Sequence, residues 1–467
     1  MSGHHQPPGV SPHRLAAIHK KAQRLAQARR EKAGAPPHAV SHPRRGVALR
    51  FERMRRAGLG AMAAFLAVLG PGLLAGLSDD DPAGITTYSI LGTEYGYRLL
   101  WIIPLSTVLL IQFHLIAVRI GAATGKGFVA VIRHRYGHVW GYCAVIALLL
   151  TNFGTICAEY AGISAAGSLI GIPSWVSAPL AGVLISLMVV LGSFHRIERV
   201  LLVISATLAL YIVDGILAAP DWSAVARYSL IPSLPDDAGG WVVIAATLGT
   251  TLAPWGLAFI QSYAVDKKIT VANLRWERVD VLIGSLLTGV IGLAIAVACA
   301  ATLHRAGLHI EDAADAAAAL KPLAGSFATL LFGVGLLGAS LLAAAIVPLA
   351  TAYSIAEGVG APASLDLDSR HFQMFYAAFV GLTLAAVGVV SIPGLPLIPL
   401  IYSSQVINAV LLPLHVLVLH LLARDVGLMG EARSSRTAML AERAGIALII
   451  ACVVALAWSW IAGSSLS

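Results

Sequence analysis

The chain has 467 residues, of which 58% are hydrophobic and 12% charged, with a formal net charge of +8. That balance excludes a soluble globular class for most of the chain, because runs of about twenty apolar residues, enough to cross a bilayer, recur along it. The first 56 residues are a different material, rich in His, Pro, Arg and Lys, with the run His19-Lys20-Lys21-Ala22-Gln23-Arg24 and later Arg44-Arg45, Arg50, Arg53, Arg55 and Arg56. They read as a mostly disordered tail held near anionic lipid by its charge. His4, His5, His13 and His19 are too irregularly spaced for a metal motif.

About eleven membrane-spanning helices are expected after the tail, centred near Leu73, Leu109, Ile163, Leu184, Leu208, Leu252, Ile291, Leu337, Val380, Val406 and Val453. This divides the chain into the tail at 1–56, a ten-helix core at 57–425, and a loop with an eleventh helix at 426–467. The class is an all-α polytopic membrane protein. Cys143, Cys157, Cys299 and Cys452 fall within spans and suggest neither disulfides nor a zinc cluster. The first apolar run begins too late and is too long for a cleavable leader.

Charge asymmetry sets the expected topology. With the tail in the cytoplasm, inner loops carry Lys126, Arg133 and Arg135, then His195, Arg196 and Arg199, then Lys267, Lys268, Arg275 and Arg278, then Arg424, Arg433, Arg436 and Arg443. Outer loops carry Asp221, Asp236 and Asp237, then Glu311, Asp312 and Asp315. Basic inside and acidic outside is the usual asymmetry. The loop with Asp366, Asp368 and Arg370 is the exception. The C-terminus is then outside, and a bacterial inner membrane is the expected location.

The first span holds Ser78-Asp79-Asp80-Asp81-Pro82-Ala83-Gly84, three carboxylates and a helix breaker in an apolar setting. An ionised Asp at membrane depth is expensive and lines a cavity or ion path. Pro82 removes a backbone donor and disfavours helix at Asp81. Unwound carbonyls beside carboxylates make a hard, oxygen-rich cation pocket. The sixth span is interrupted in the same way by Gly249-Thr250-Thr251-Leu252-Ala253-Pro254-Trp255-Gly256. Spans one and six each open a five-helix half. An inverted repeat places two such breaks face to face at the midplane, which is the sequence pointer to a carrier's substrate site.

Gly70-Pro71-Gly72, Asp81-Pro82-Ala83-Gly84 and Ala253-Pro254 followed by Gln261-Ser262 resemble the Nramp family of divalent-metal transporters. Ala158-Glu159 and Ser404-Gln405-Val406 extend the resemblance. It implies a LeuT-type fold of five plus five helices and metal transport, usually with protons. The family's Gly-Asn after Asp-Pro is Ala83-Gly84 here, its sixth-span Met is Ala253, the His two positions on is Trp255, and its third-span Asp is Ile156. These departures resemble the Nramp-related magnesium transporter branch.

Physical chemistry reads the departures in the same direction. A thioether selects softer metals, whereas carboxylate, carbonyl and water suit Mg²⁺, Ca²⁺ and Mn²⁺. Mg²⁺ keeps several waters, and Gly84 and Ala253 in place of ligating side chains leave room for them. Asp81 is the expected direct ligand, helped by backbone carbonyls near Leu77, Ser78, Thr250 and Ala253. Gln405 matches a family residue that closes over the metal. Asp79 and Asp80 supply charge or outer contacts, or one of them caps the second half-helix. Glu159 either draws cations along the path or bonds across helices. Trp255 is a gate or packing residue, and His415 and His420 are packed or interfacial.

The leading expectation is a secondary carrier of a hard divalent cation, Mg²⁺ first and Mn²⁺ second, with weak or no proton coupling. A proton-coupled Mn²⁺/Fe²⁺ transporter is the alternative. An amino-acid carrier of the same fold ranks behind, because the acidic triplet repels a carboxylate. No enzyme motif, resident cofactor or nucleic-acid site is expected, and a monomer is the simplest assembly.

Overall fold

Proline, glycine and short caps divide the apolar chain into helices. The computed structural model describes residues 76, 79–191, 210–311, 313–317, 325, 328–361 and 373–464, and the regular structure among them is entirely helical. The tail at 1–56, Leu77 and Ser78 lie outside the described residues, as do most of the spans expected near Leu73 and Leu208. So do the loops with His195, Arg196 and Arg199 and with Asp366, Asp368 and Arg370.

In chain order the principal helices are α1 (Pro82–Tyr95), α2 (Ile102–Thr124), α3 (Phe128–Tyr136), α4 (His138–Ser168), α5 (Ser174–Val190), α6 (Leu210–Leu217) and α7 (Trp222–Leu230). There follow α8 (Ala238–Thr251), α9 (Pro254–Asp266), α10 (Leu274–Cys299), α11 (Ala328–Val359), α12 (Gln373–Val390), α13 (Leu397–Ala423) and α14 (Arg436–Ser464). Among the described residues, seven segments are long and apolar enough to cross a membrane: α2, α4, the α8–α9 pair, Glu277–His304, and most of α11, α13 and α14. The apolar α5 and α12 are shorter, and α1 is the second half of the first span.

One centre moves. The third span was expected near Ile163, whereas the midpoint of α4 is Phe153. The apolar stretch continues past the helix through Ile170 and Ile172, but Gly171 turns left-handed at φ 78 and ends it. Hydropathy alone does not register that stop.

The helices sort into two packed groups. In one, α1 and α2 pack on α10, α2 on α9, and α1 on α8. In the other, α4 packs on α11, α5 and α12. α13 bridges them through α4 and α8. The broken elements thus belong to one group and α4, with Glu159, to the other.

Polar contacts tie each end of the assembly. At the acidic end, Tyr95 donates to Asp237 at 2.8 Å and Arg98 pairs with Asp236 at 2.8 Å. There Glu94 hydrogen-bonds His309 and holds its imidazole pKa above the ordinary value. At the basic end, Arg135 pairs with Asp425 at 2.5 Å and holds that carboxyl below the usual carboxylate range. His420 pairs with Glu442 at 2.6 Å, so it joins α13 to α14. His415 stacks on Phe128 with centroids 6.3 Å apart.

Candidate cation site at the two broken spans

The first break is built by Asp81. Its backbone is extended, Pro82 occupies the first helical position, and its Oδ1 accepts from the Gly84 amide at 2.7 Å. Proline belongs there because that N–H would be orphaned anyway. The cap expected from Asp79 or Asp80 is therefore supplied by Asp81 itself, with one oxygen. Its carboxyl also lies within hydrogen-bonding reach of Glu159 on α4. Glu159 is 0% exposed and receives no donor from the protein among the described residues. Gly162, one turn further along α4, lets the helix approach, since a Cβ there would collide with the Pro82 ring.

Of the three aspartates, two diverge: Asp81 turns to α4, while Asp79 Oδ1 faces Gly256 on α9. All are buried, and both carboxylate oxygens of Asp79 and of Asp80 lack a hydrogen-bond partner among the described residues. Tyr88 shares a hydrogen bond with Thr251 at 2.9 Å, and Ser106 on α2 donates to the same hydroxyl at 3.2 Å. This chain links the two breaks.

Gly84 does not open the space expected of it. A Cβ there would stand 2.7 Å from the Asp79 carbonyl oxygen, so the backbone folds tightly back on itself at that point.

At the second break α8 stops at Thr251 and α9 restarts at Pro254. Pro254 has no N–H to offer the Thr250 carbonyl four residues earlier, which leaves that oxygen without its helical donor. The Ala253 carbonyl is engaged, accepting from Gly256 at 3.0 Å and Leu257 at 3.4 Å. Trp255 is 1% exposed, tilts against Phe259 and leaves its indole N–H without a partner among the described residues. Gly249 permits α13 to press close, because a Cβ there would fall on the Gln405 carbonyl.

Gln405 sits beside the break, but its amide is committed to neighbours on α13. It donates to Ser404 at 2.6 Å and accepts from Asn408 at 3.0 Å. Asn408 also donates to Thr155 at 3.0 Å, tying the group to α4. No cluster of three or more His, Cys, Asp or Glu residues converges as a ready metal cage among the described residues. A cation here would be held by the Asp81–Glu159 carboxyls, by free backbone oxygen and by water.

Sequence reasoning missed Tyr88, Thr251, Asn408, Gly162 and His114. Their polar groups or missing side chains matter only through contacts with distant segments. Beyond the site, toward the basic end, a cavity of about 740 Å³ is lined by Lys126, Arg133, Ser262, Asp266, Tyr353 and Glu357 among others. Glu357 accepts from the Val129 and Ala130 amides at 3.0 and 3.2 Å, and Tyr353 donates to Asp266 at 2.8 Å.

Two neighbouring helix starts at proline, around buried carboxylates that no side chain among the described residues neutralises, fit a membrane carrier of the broken-helix class. Solved structures place the fold. A manganese transporter from Eremococcus coleocola matches with TM-score 0.67 at 21% identity, covering 86% of this chain and 88% of that one. MhsT in complex with L-phenylalanine matches with TM-score 0.54 at 17% identity, covering 83% and 98%. The architecture is the LeuT type.

Residues 72–459 match the family described as natural resistance-associated macrophage protein-like, and the chain belongs to that Nramp family. A divalent metal cation transporter MntH of Yersinia pestis is 31% identical over 290 residues, covering 59% of this chain and 69% of the relative. One from Caldanaerobacter subterraneus is 26% identical over 378 residues, covering 79% and 87%.

Proposed function

We propose that this chain is a secondary carrier of divalent metal ions, with Mn²⁺ as its leading cargo and Fe²⁺ close to it. One observation carries the reading: the Asp81–Glu159 carboxyl pair is buried at a broken helix, and no cationic side chain among the described residues is paired with it. Two buried carboxyls so close require a proton or a cation between them. The relatives named as divalent metal cation transporters, and the likeness to a manganese transporter, support a metal ion. They favour the Mn²⁺/Fe²⁺ alternative over the Mg²⁺-first order expected from the sequence.

Mg²⁺ is retained as the second reading on a specific ground. Ala253 and Gly84 bring no sulfur and no amide to the site, which suits an ion that keeps its water. Trp255 and Ile156 likewise bring no titrating side chain, which supports weak proton coupling. An amino-acid cargo fits worst, because Asp79, Asp80 and Asp81 would repel its carboxylate. In the membrane the basic end faces the cytoplasm, and the inside-negative potential favours inward movement by about 2.3 kcal/mol per charge per 100 mV. The carrier works as a monomer in a bacterial inner membrane.

The test is Mn²⁺ uptake into liposomes containing the purified chain, competed by Mg²⁺, Ca²⁺ and Cd²⁺ with internal pH recorded. Saturable Mn²⁺ entry blocked by Cd²⁺ and indifferent to Mg²⁺ supports the leading reading, and luminal acidification adds proton coupling to it. Competition by Mg²⁺ at a flat pH replaces it with the hard-cation reading. Absence of uptake for both ions overturns the function.

A further inference from the structure

The break holds a second polar gap that the Asp81–Glu159 pair does not use. His114 lies in the middle of α2, 1% exposed, and its Nδ1 has no hydrogen-bond partner among the described residues. Asp79 is 2% exposed, with both oxygens unpartnered among the described residues. The two side chains meet over Gly256. The point where a Cβ would stand on that residue lies 3.4 Å from Asp79 Oδ1 and 3.6 Å from His114 Nε2. Outside the local chain of α9, no other heavy atom of the described residues comes within 4 Å of that point. A carboxylate oxygen and an imidazole nitrogen thus flank Gly256, which carries no side chain to stand between them.

Its position is as informative as its chemistry. α1 runs from Asp81 toward the acidic end, so Asp79 stands on the opposite side of the break. α9 runs from Gly256 toward the basic end, and Ser262 and Asp266 further along it line the cavity of about 740 Å³ with Glu357. The gap therefore lies between the Asp81–Glu159 pair and that cavity.

We propose that Asp79 and His114 form a second cation subsite, through which the transported ion passes between the Asp81–Glu159 pair and the basic-end cavity. The proposal rests on the divalent-metal reading of the site. Two protein donors leave the other coordination positions to water, which suits passage rather than storage. The imidazole also gives the path a nitrogen ligand in a chain that lacks the sixth-span sulfur. Imidazole suits Fe²⁺ far better than Mg²⁺ or Ca²⁺, so His114 tilts the path toward the Fe²⁺ cargo and away from Mg²⁺. In the competing arrangement Asp79 merely complements the positive N-terminus of α9, and His114 is a packed neutral ring.

Pulsed electron paramagnetic resonance of Mn²⁺ bound to the purified full-length chain separates the two. Wild type is expected to show nitrogen modulation from a directly bound imidazole. The modulation should persist in His415→Gln and vanish in His114→Gln, which still binds Mn²⁺ through Asp81. Asp79→Asn should weaken it, so the result does not hang on one variant folding. Bound Mn²⁺ without histidine nitrogen in wild type overturns the subsite and leaves the carrier reading standing. Failure to bind Mn²⁺ at all overturns the carrier reading for that ion and the subsite with it.

Discussion

The two breaks use one device and fill it with opposite chemistry. At each a helix starts with proline at its first position, Pro82 in α1 and Pro254 in α9. At the first, a carboxylate caps the new helix, and three further carboxyls lie buried around it without donors among the described residues. At the second no side chain caps the helix, and the Ala253 carbonyl receives the first amides. The second break is uncharged, and Gly249 lets it lie directly against Gln405. One break thus supplies attraction and the other supplies shape and neutral oxygen. Burying unneutralised carboxylates destabilises the empty protein, and a ligand bound only to the folded state returns that stability.

Asp81→Asn breaks the comparison most severely. Asn caps helices about as well as Asp, so α1 should still start at Pro82 and the change isolates the charge. Removing one partner of a buried ionic contact costs about 3–5 kcal/mol, so Mn²⁺ affinity should fall by about two orders of magnitude or more. Titration calorimetry and loss of Mn²⁺-dependent thermal stabilisation measure it. Wild-type affinity in the variant would move the attraction to Asp79, Asp80 or Glu159.

The next largest effect tests the neutral break. Gly249→Val drives a branched side chain onto the Gln405 carbonyl, and overpacking of this kind costs about 1–3 kcal/mol. The melting temperature should drop and uptake should fall with it, whereas Gly388→Val on α12, which has open space around its α-carbon, should melt like wild type. Equal melting of both variants would show that α8 and α13 separate at no cost.

Both breaks were legible in the sequence, because Pro and Gly interrupt apolar runs in corresponding places and Asp at membrane depth demands an explanation. The pairing of Glu159 with Asp81 was partly legible. What stayed hidden is direction. Nothing local distinguishes three consecutive aspartates, yet their neighbours separate two of them: α4 for Asp81, α9 and α2 for Asp79. His114 gave no signal, since an isolated His in an apolar helix resembles a packed one until the segments opposite it are known. The rotamer of Gln405 depends on Asn408 and Thr155, which belong to two different helices. Gly84 marked a lost ligand in the sequence, but the fold makes it the tight point of the turn.

Ala253→Met sharpens the comparison by giving the neutral break a soft donor. The thioether should raise preference for Cd²⁺ over Mn²⁺ by about tenfold, or about 1.4 kcal/mol, read as a ratio of competition constants. Gly84→Asn should not behave as its counterpart. The added side chain meets the Asp79 backbone instead of open space, so that variant should lose binding for every ion rather than change their order.

Pro254→Ala carries the smallest expected effect and probes the neutral oxygen alone. It removes the ring that keeps α8 from running on into α9, so a continuous helix in which residue 254 donates to the Thr250 carbonyl becomes accessible. Proline at a first helical position is replaceable by a good helix former with little change in stability, so the melting temperature should stay close to wild type. Uptake should nevertheless decline severalfold, because the carbonyl that the break leaves free is then engaged and the two half-helices move less independently. Unchanged uptake at unchanged stability would remove Thr250 from the site. The second break would then act through Gly249 and packing alone, leaving the ion to the carboxylates of the first.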